Sequence, residues 1–143
     1  MRVAQLSQTA QSQLLAKAQA REPEGAVLFR RGEPAFGIFL VRKGSISLRL
    51  ESEKGNAILD RTVTRDSIVG LPGTLSGGRY SLTAVTLEES ELAFVDRLAL
   101  IELIRGDPSI GLELMRALGE EVLQMRATLA SATCGGTVPV SSE

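Results

Sequence analysis

Hydrophobic and polar residues alternate along the middle of the chain in short segments. Ile46, Leu48 and Leu50 alternate with polar residues, which is typical of a strand with one buried and one solvated face. The segment 38–41 is apolar throughout, so both of its faces are predicted to be buried. Further strands are predicted at residues 27–29, 57–63, 80–87 and 92–95.

Turn-forming residues separate these segments at intervals of 7 to 12 residues, and four consecutive intervals from position 44 to position 88 are 11 residues long. Such regular spacing predicts an all-β unit of the sandwich or barrel type. The turn positions are Gly25, Gly32, Gly44, Gly55, Asp66, Gly77 and Glu88.

Outside this β region the hydrophobic period becomes helical. Residues 1–20 carry apolar side chains at helical spacing and predict a weakly amphipathic N-terminal helix. After the last strand, Asp96 is a predicted N-cap for a short helix that ends at Gly106. Asp107 and Pro108 then predict the start of a longer helix, so that two helices together occupy residues 96–131.

Five apolar residues of the longer helix are spaced 3, 4, 3 and 4 residues apart, which is a seam of two heptads. We interpret this seam as the contact of a parallel homodimer. The alternative is that the same residues belong to the core of a single chain. The seam residues are Met115, Leu118, Val122, Met125 and Leu129.

Composition limits the classes of function. The 143 residues are 43% hydrophobic, which predicts one domain over residues 1–131 and a small, polar, disordered tail over residues 132–143. The net charge of −1 argues against direct nucleic-acid binding. The sequence has no histidine, which excludes Ser-His-Asp and imidazole–metal sites, so we predict neither an enzyme nor a metal centre.

Cysteine usage and hydropathy predict the compartment. Cys134 is the single cysteine, and a free thiol in the cytoplasm is the simplest interpretation. No apolar run approaches the roughly 18 residues of a membrane span, and the N-terminus opens no signal region. The chain is therefore expected to be cytoplasmic, without a membrane contact.

Residues 23–46, PEGAVLFRRGEPAFGIFLVRKGSI, carry a family resemblance. They resemble the first two hairpins of the cyclic nucleotide-binding domain of the catabolite-activator (Crp/Fnr-like) bacterial regulators. Segments 66–70, 90–96 and 107–129 resemble the later strands and the long helix of that family. The resemblance covers about residues 22–130 and implies a mainly β fold with flanking helices: a jelly-roll (double-stranded β-helix) barrel over residues 25–95, followed by a short helix and a long dimerisation helix.

Residues 69–84, VGLPGTLSGGRYSLTA, stand where this family has its phosphate-binding cassette. A glycine and a glutamate begin the cassette of nucleotide-binding members, and an arginine followed by serine or threonine ends it. The glutamate accepts a hydrogen bond from the ribose, and the arginine neutralises the phosphate. Here Leu71 takes the glutamate position. Tyr80 and Ser81 take the last two positions, which leaves Arg79 one residue early.

Arg79 has two possible placements. If it lies in a loop before the strand begins, the preceding glycines let it turn inward toward an anion; otherwise it is a solvated surface arginine. The candidate ligand residues are Gly70, Leu71, Gly73, Arg79, Tyr80 and Ser81. By the resemblance, the candidates on the long helix that would face a base are Arg126 and Thr128.

The resemblance implies a homodimeric regulatory module of bacterial signalling or transcription. Its cassette is degenerate and takes a cyclic nucleotide, another small anionic ligand, or none. The chain ends at residue 143, so we expect it to lack the DNA-binding helix-turn-helix of full regulators. The alternative is an interaction protein that pairs with related regulators through its long helix. A cupin-type enzyme is disfavoured by the absence of histidine.

Overall fold

The computed structural model describes residues 6–15 and 18–119. This part of the chain contains an N-terminal helix, eight strands and two further helices, and residues 108–119 are helical as well. The bounds are α1 Gln8–Leu15, β1 Ala18–Glu22, β2 Val27–Phe29, β3 Gly37–Lys43, β4 Ile46–Glu51, β5 Ala57–Val63, β6 Ile68–Val69, α2 Leu71–Ser76, β7 Thr83–Thr86, β8 Ser90–Asp96 and α3 Arg97–Gly106.

The strands form two antiparallel sheets of four strands each. The first has the order β1-β8-β3-β6 and the second β2-β7-β4-β5. This arrangement confirms the predicted mainly β, jelly-roll fold with flanking helices. The predicted closed barrel is wrong, because no described strand joins the two sheets. The edge strands β2 and β6 have only three and two residues, which leaves few backbone groups for pairing across the gap.

Strand β3 separates two hydrophobic clusters. Ile38 and Leu40 belong to the helix-facing cluster, between the first sheet and the helices. Phe39 and Val41 point the other way, into the inter-sheet cluster between the two sheets. Residues 37–41 are all buried, which confirms the prediction from their continuous apolar run.

The predicted N-terminal helix is wrong at its C-terminal end. Residues Ala18–Glu22 form β1, in which Ala18 lies opposite Phe94 and Ala20 opposite Leu92 of β8. Alanine and glutamine favour a helix locally, but pairing with β8 satisfies their backbone groups and overrides that preference. The β region therefore starts at residue 18 rather than 25, and residues 1–5 and 16–17 lie outside the described part.

The predicted turns are present. Six of the seven turn positions have a positive φ, namely Gly25, Gly32, Gly44, Gly55, Asp66 and Gly77. The strand predicted at residues 80–87 is shorter, covering Thr83–Thr86 only. Strand β6 and helix α2 were not predicted, since a two-residue strand and a six-residue helix are too short to produce a period.

Both predicted helix caps are confirmed. The Asp96 carboxylate accepts a hydrogen bond from the Ala99 amide at 2.7 Å and begins α3. The Asp107 carboxylate accepts from the Ser109 amide at 3.1 Å, directly before the helical residues 108–119. The predicted residues Val122, Met125, Arg126, Thr128, Leu129 and Cys134 and the tail 132–143 lie outside the described residues.

We predict that Gly37→Ala destabilises the fold. A Cβ atom at this position would lie 2.5 Å from the Val95 carbonyl oxygen and 2.6 Å from the Phe94 ring. Such overpacking lowers the free energy of unfolding by about 1–3 kcal/mol, measured by urea denaturation.

Gly106→Ala is the matched control, because a Cβ atom there meets no heavy atom within 4 Å. Its free energy of unfolding should equal or slightly exceed that of the natural chain. Equal stability of both variants would contradict the close packing at Gly37.

Candidate functional site

The segment between β6 and β7 contains the short helix α2. Gly70 precedes this helix with φ 88°, and Gly77 ends it with φ 73°. The Gly77 amide donates to the Gly73 carbonyl, which closes the last turn. The glycine-rich stretch is thus an ordered helix between two left-handed residues.

A small cavity of about 30 Å³ lies beside α2 and the second sheet. This volume accommodates a molecule the size of water, not a nucleotide. The described residues that line it are uncharged: Phe29, Leu48, Val69, Gly70, Pro72, Gly73, Tyr80, Ser81 and Leu82.

The side chain of Tyr80 fills the space next to this cavity and is only 2% exposed. Its ring stacks on Phe29 with the centroids 3.8 Å apart. Its hydroxyl donates to the Gly37 carbonyl at 2.7 Å and accepts from the Phe36 and Gly37 amides at 3.2 and 3.1 Å. The buried hydroxyl is therefore fully used as donor and acceptor.

The hydroxyl belongs to a closed set of hydrogen bonds, which we call the hydrogen-bond circuit. Its members are Phe36, Gly37, Thr74, Tyr80 and Arg97. The Thr74 hydroxyl lies 2.9 Å from the Gly37 carbonyl oxygen and 2.8 Å from that of Gly70, and shares one proton between them. The Arg97 side chain donates from Nε to the Thr74 carbonyl at 3.1 Å. The Arg97 amide donates to the Phe36 carbonyl at 2.9 Å, so the circuit joins α2, the start of β3 and the start of α3.

Comparison with known proteins identifies the family. The family model of the cyclic nucleotide-binding domain matches residues 21–107. The chain belongs to this family.

The cyclic nucleotide-binding domain has relatives among bacterial regulators. It is 29% identical over 118 residues to the transcriptional regulatory protein btr of Bordetella pertussis, across 82% of this chain and 48% of that protein. The chain thus spans about half the length of the curated relative it matches.

Solved structures share the fold. The catabolite activator protein of Thermus thermophilus is 22% identical, with a TM-score of 0.77, over 90% of this chain and 61% of its own. A cyclic nucleotide-binding domain from Methylobacillus flagellatus is 19% identical, with a TM-score of 0.76, over 94% of this chain and 76% of its own.

Within the domain, four of the six candidate ligand residues line one cavity: Gly70, Gly73, Tyr80 and Ser81. Leu71 does not line it. Leu71 is 1% exposed and packs in the helix-facing cluster, on the opposite side of α2. The position where relatives have glutamate therefore points away from the cavity.

Arg79 does not line the cavity either. It lies before β7, in an isolated bridge with Pro34, and its side chain is exposed. Its Nη1 donates to the Gly32 carbonyl at 2.6 Å. The arrangement matches the solvated alternative rather than the inward-turned one.

The sequence reasoning missed the aromatic contacts around Tyr80. The sequence has four phenylalanines, one tyrosine and no tryptophan, and all five rings form one connected cluster. The Phe36 and Tyr80 rings meet edge to face at 5.4 Å, and Phe39 and Phe94 lie 5.0 Å apart. The rings come from four distant segments, so their spacing along the chain gives no signal. The shared rarity of aromatic residues was the one available hint.

None of the helices in the described part of the chain has the length and apolar character needed to cross a bilayer. The same residues include no group of cysteine, aspartate and glutamate side chains arranged to hold a metal ion.

We predict that Tyr80 titrates above its usual pKa of 10.0, because burial disfavours the charged phenolate. Hydrogen bonds from the backbone of residues 36 and 37 and from Thr74 oppose this shift only in part. Tyr80 is the one tyrosine in the sequence, so near-ultraviolet absorbance during an alkaline titration reports it directly.

The raised pKa has a consequence for stability. The folded chain keeps the phenolic proton at a pH where the unfolded chain has begun to lose it. The contribution is fully present below pH 10 and is lost as the pH rises through the folded pKa. The same titration in denaturant should return the usual value, and equal midpoints in both states would contradict the buried placement.

Proposed function

We propose that this cyclic nucleotide-binding-family domain is a regulatory module with a degenerate cassette, which works without a cyclic nucleotide. The observation that carries the proposal is Tyr80, whose side chain occupies the cassette and uses its hydroxyl inside the protein. The remaining cavity, about 30 Å³, is too small for a nucleotide.

The charges around the cassette support the same conclusion. A buried phosphate needs a guanidinium or several amide donors in place of water, because an unpaired buried charge is strongly disfavoured. The described cavity lining contains no charged residue, and the nearest candidate cation, Arg79, is turned toward Gly32. Leu71 offers no acceptor for a ribose hydroxyl. The argument holds equally for other small anions.

Calorimetric titration with cyclic AMP and then cyclic GMP tests this proposal. We expect no saturable heat at up to about 1 mM nucleotide, which corresponds to a binding free energy weaker than about −4 kcal/mol. Arg79→Ala should behave like the natural chain, because Arg79 is exposed and faces away from the cavity. Saturable binding that Arg79→Ala abolishes would refute the proposal.

The regulatory role itself is inferred from the relatives. The curated relative is described as a transcriptional regulatory protein, and one solved relative as a catabolite activator protein. We infer that this domain likewise acts in bacterial signalling or transcription regulation in the cytoplasm, and that it does not catalyse a reaction.

We further propose that the domain forms a homodimer through the helix that starts at residue 108. Ile110, Leu114 and Ala117 of this helix are buried against the domain. Leu112 and Met115 lie on another side and are 63% and 62% exposed. This pair is one helical turn apart, so it forms an apolar row that the domain itself does not cover. Leu118 is half-buried against the helix-facing cluster, at the edge of that row.

Light scattering after gel filtration tests the dimer. We expect a mass near twice 15.3 kDa at tens of micromolar, and Met115→Lys should weaken self-association by at least about tenfold, since a charge would enter an apolar contact. Ile58→Lys is the control, because Ile58 is 53% exposed on the edge strand β5. A natural chain that remains monomeric would contradict the homodimer and favour pairing with a related regulator.

A further inference from the structure

The glycines of the cassette are fitted to the protein's own chain. A Cβ atom at Gly70 would lie 3.0 Å from the Tyr80 ring, and one at Gly73 would lie 2.6 Å from the Arg79 carbonyl oxygen. Residues 79 and 80 thus approach α2 as closely as a ligand would. The glycines that would admit a phosphate in relatives admit this segment instead.

The contacts of Tyr80 are those expected of a bound aromatic ligand. Its ring lies between Phe29, in a stacked geometry, and Phe36, in an edge-to-face geometry. Its single polar group meets two amide donors and one carbonyl acceptor of Phe36 and Gly37. All partners belong to other segments of the chain. The site is planar, apolar on both faces, and polar at one end.

We propose that Tyr80 is a built-in ligand of the cassette, and that the site it fills has the specificity of a small neutral phenol rather than of a cyclic nucleotide. This inference rests on the proposed function, in which no cyclic nucleotide enters. It adds that Tyr80 sets the ligand specificity of the site and that its hydroxyl holds α3 in place through the hydrogen-bond circuit.

The route to α3 consists of backbone hydrogen bonds. The Tyr80 hydroxyl fixes the peptide unit of Phe36, whose carbonyl accepts from the Arg97 amide. Arg97 is the first residue of α3, and its side chain returns to the Thr74 carbonyl of α2. A loss of the Tyr80 hydroxyl should therefore loosen the start of α3, which is followed by the helix at residues 108–119.

The first experiment uses Tyr80→Ala in the full chain and adds phenol. Removing the ring leaves a cavity, and we expect the thermal midpoint to fall by about 10 °C. Millimolar phenol should restore several degrees, benzene should restore less because it leaves the amides of Phe36 and Gly37 unpaired, and cyclic AMP should restore nothing. Ile46→Ala, which removes buried apolar volume elsewhere in the inter-sheet cluster, is the control that phenol should not rescue.

The second experiment uses Tyr80→Phe, which keeps the ring and removes the hydroxyl. Amide hydrogen exchange should be about tenfold faster at Phe36, Gly37 and Arg97, with the amides of β5 as the unaffected reference. This variant keeps the proposal testable if Tyr80→Ala fails to fold.

The outcomes separate the two proposals. Phenol rescuing Ile46→Ala as well as Tyr80→Ala, or unchanged exchange at Arg97 in Tyr80→Phe, would overturn the built-in ligand while leaving the nucleotide-independent function intact. Saturable cyclic nucleotide binding to the natural chain would overturn the proposed function first, and the built-in ligand with it.

Discussion

The seat of the Tyr80 hydroxyl on Gly37 is the contact on which the site and much of the fold depend. Gly37 begins β3, the strand that pairs with β8 and β6 and carries side chains into both hydrophobic clusters. The hydroxyl satisfies the Gly37 amide and carbonyl at a point where no water reaches them. Without it, two buried amides would lack a partner, and each such group destabilises a fold by about 1–3 kcal/mol. One side chain of the cassette therefore completes the central strand of the protein.

The inward position of Tyr80 and the outward position of Arg79 are one structural choice. Adjacent residues of an extended segment point to opposite sides. The register is fixed by backbone hydrogen bonds, from the Tyr80 amide to the Glu33 carbonyl and from the Gly32 amide to the Tyr80 carbonyl. In this register an aromatic ring enters the protein and the guanidinium reaches the Gly32 carbonyl outside. A shift by one residue would place the guanidinium inside, next to Phe29 and without a counter-ion.

Local sequence signals predicted much of the fold and only part of this site. The alternation at Ile46, Leu48 and Leu50, the glycine turns and the Asp96 cap each act within a few residues, so their effects are readable from the sequence. Ala18–Ala20 became a strand through pairing with β8, which lies more than 70 residues away. Counting residues put Tyr80 in the place of the family's arginine. That it faces inward depends on its pairing with Glu33, a contact that no local pattern encodes.

Helix α2 explains why the departures at positions 71 and 80 belong together. This helix lies between the two hydrophobic clusters, with Leu71 and Leu75 packed on the helix-facing side and Gly70 and Gly73 lining the cavity. A glutamate at position 71, in this orientation, would bury its carboxylate among aliphatic side chains, far from any ribose, and would strongly destabilise the fold. Leucine is therefore the residue this backbone favours. The same orientation brings the glycines against Tyr80, so a cassette that accepts the tyrosine ring has no use for the glutamate.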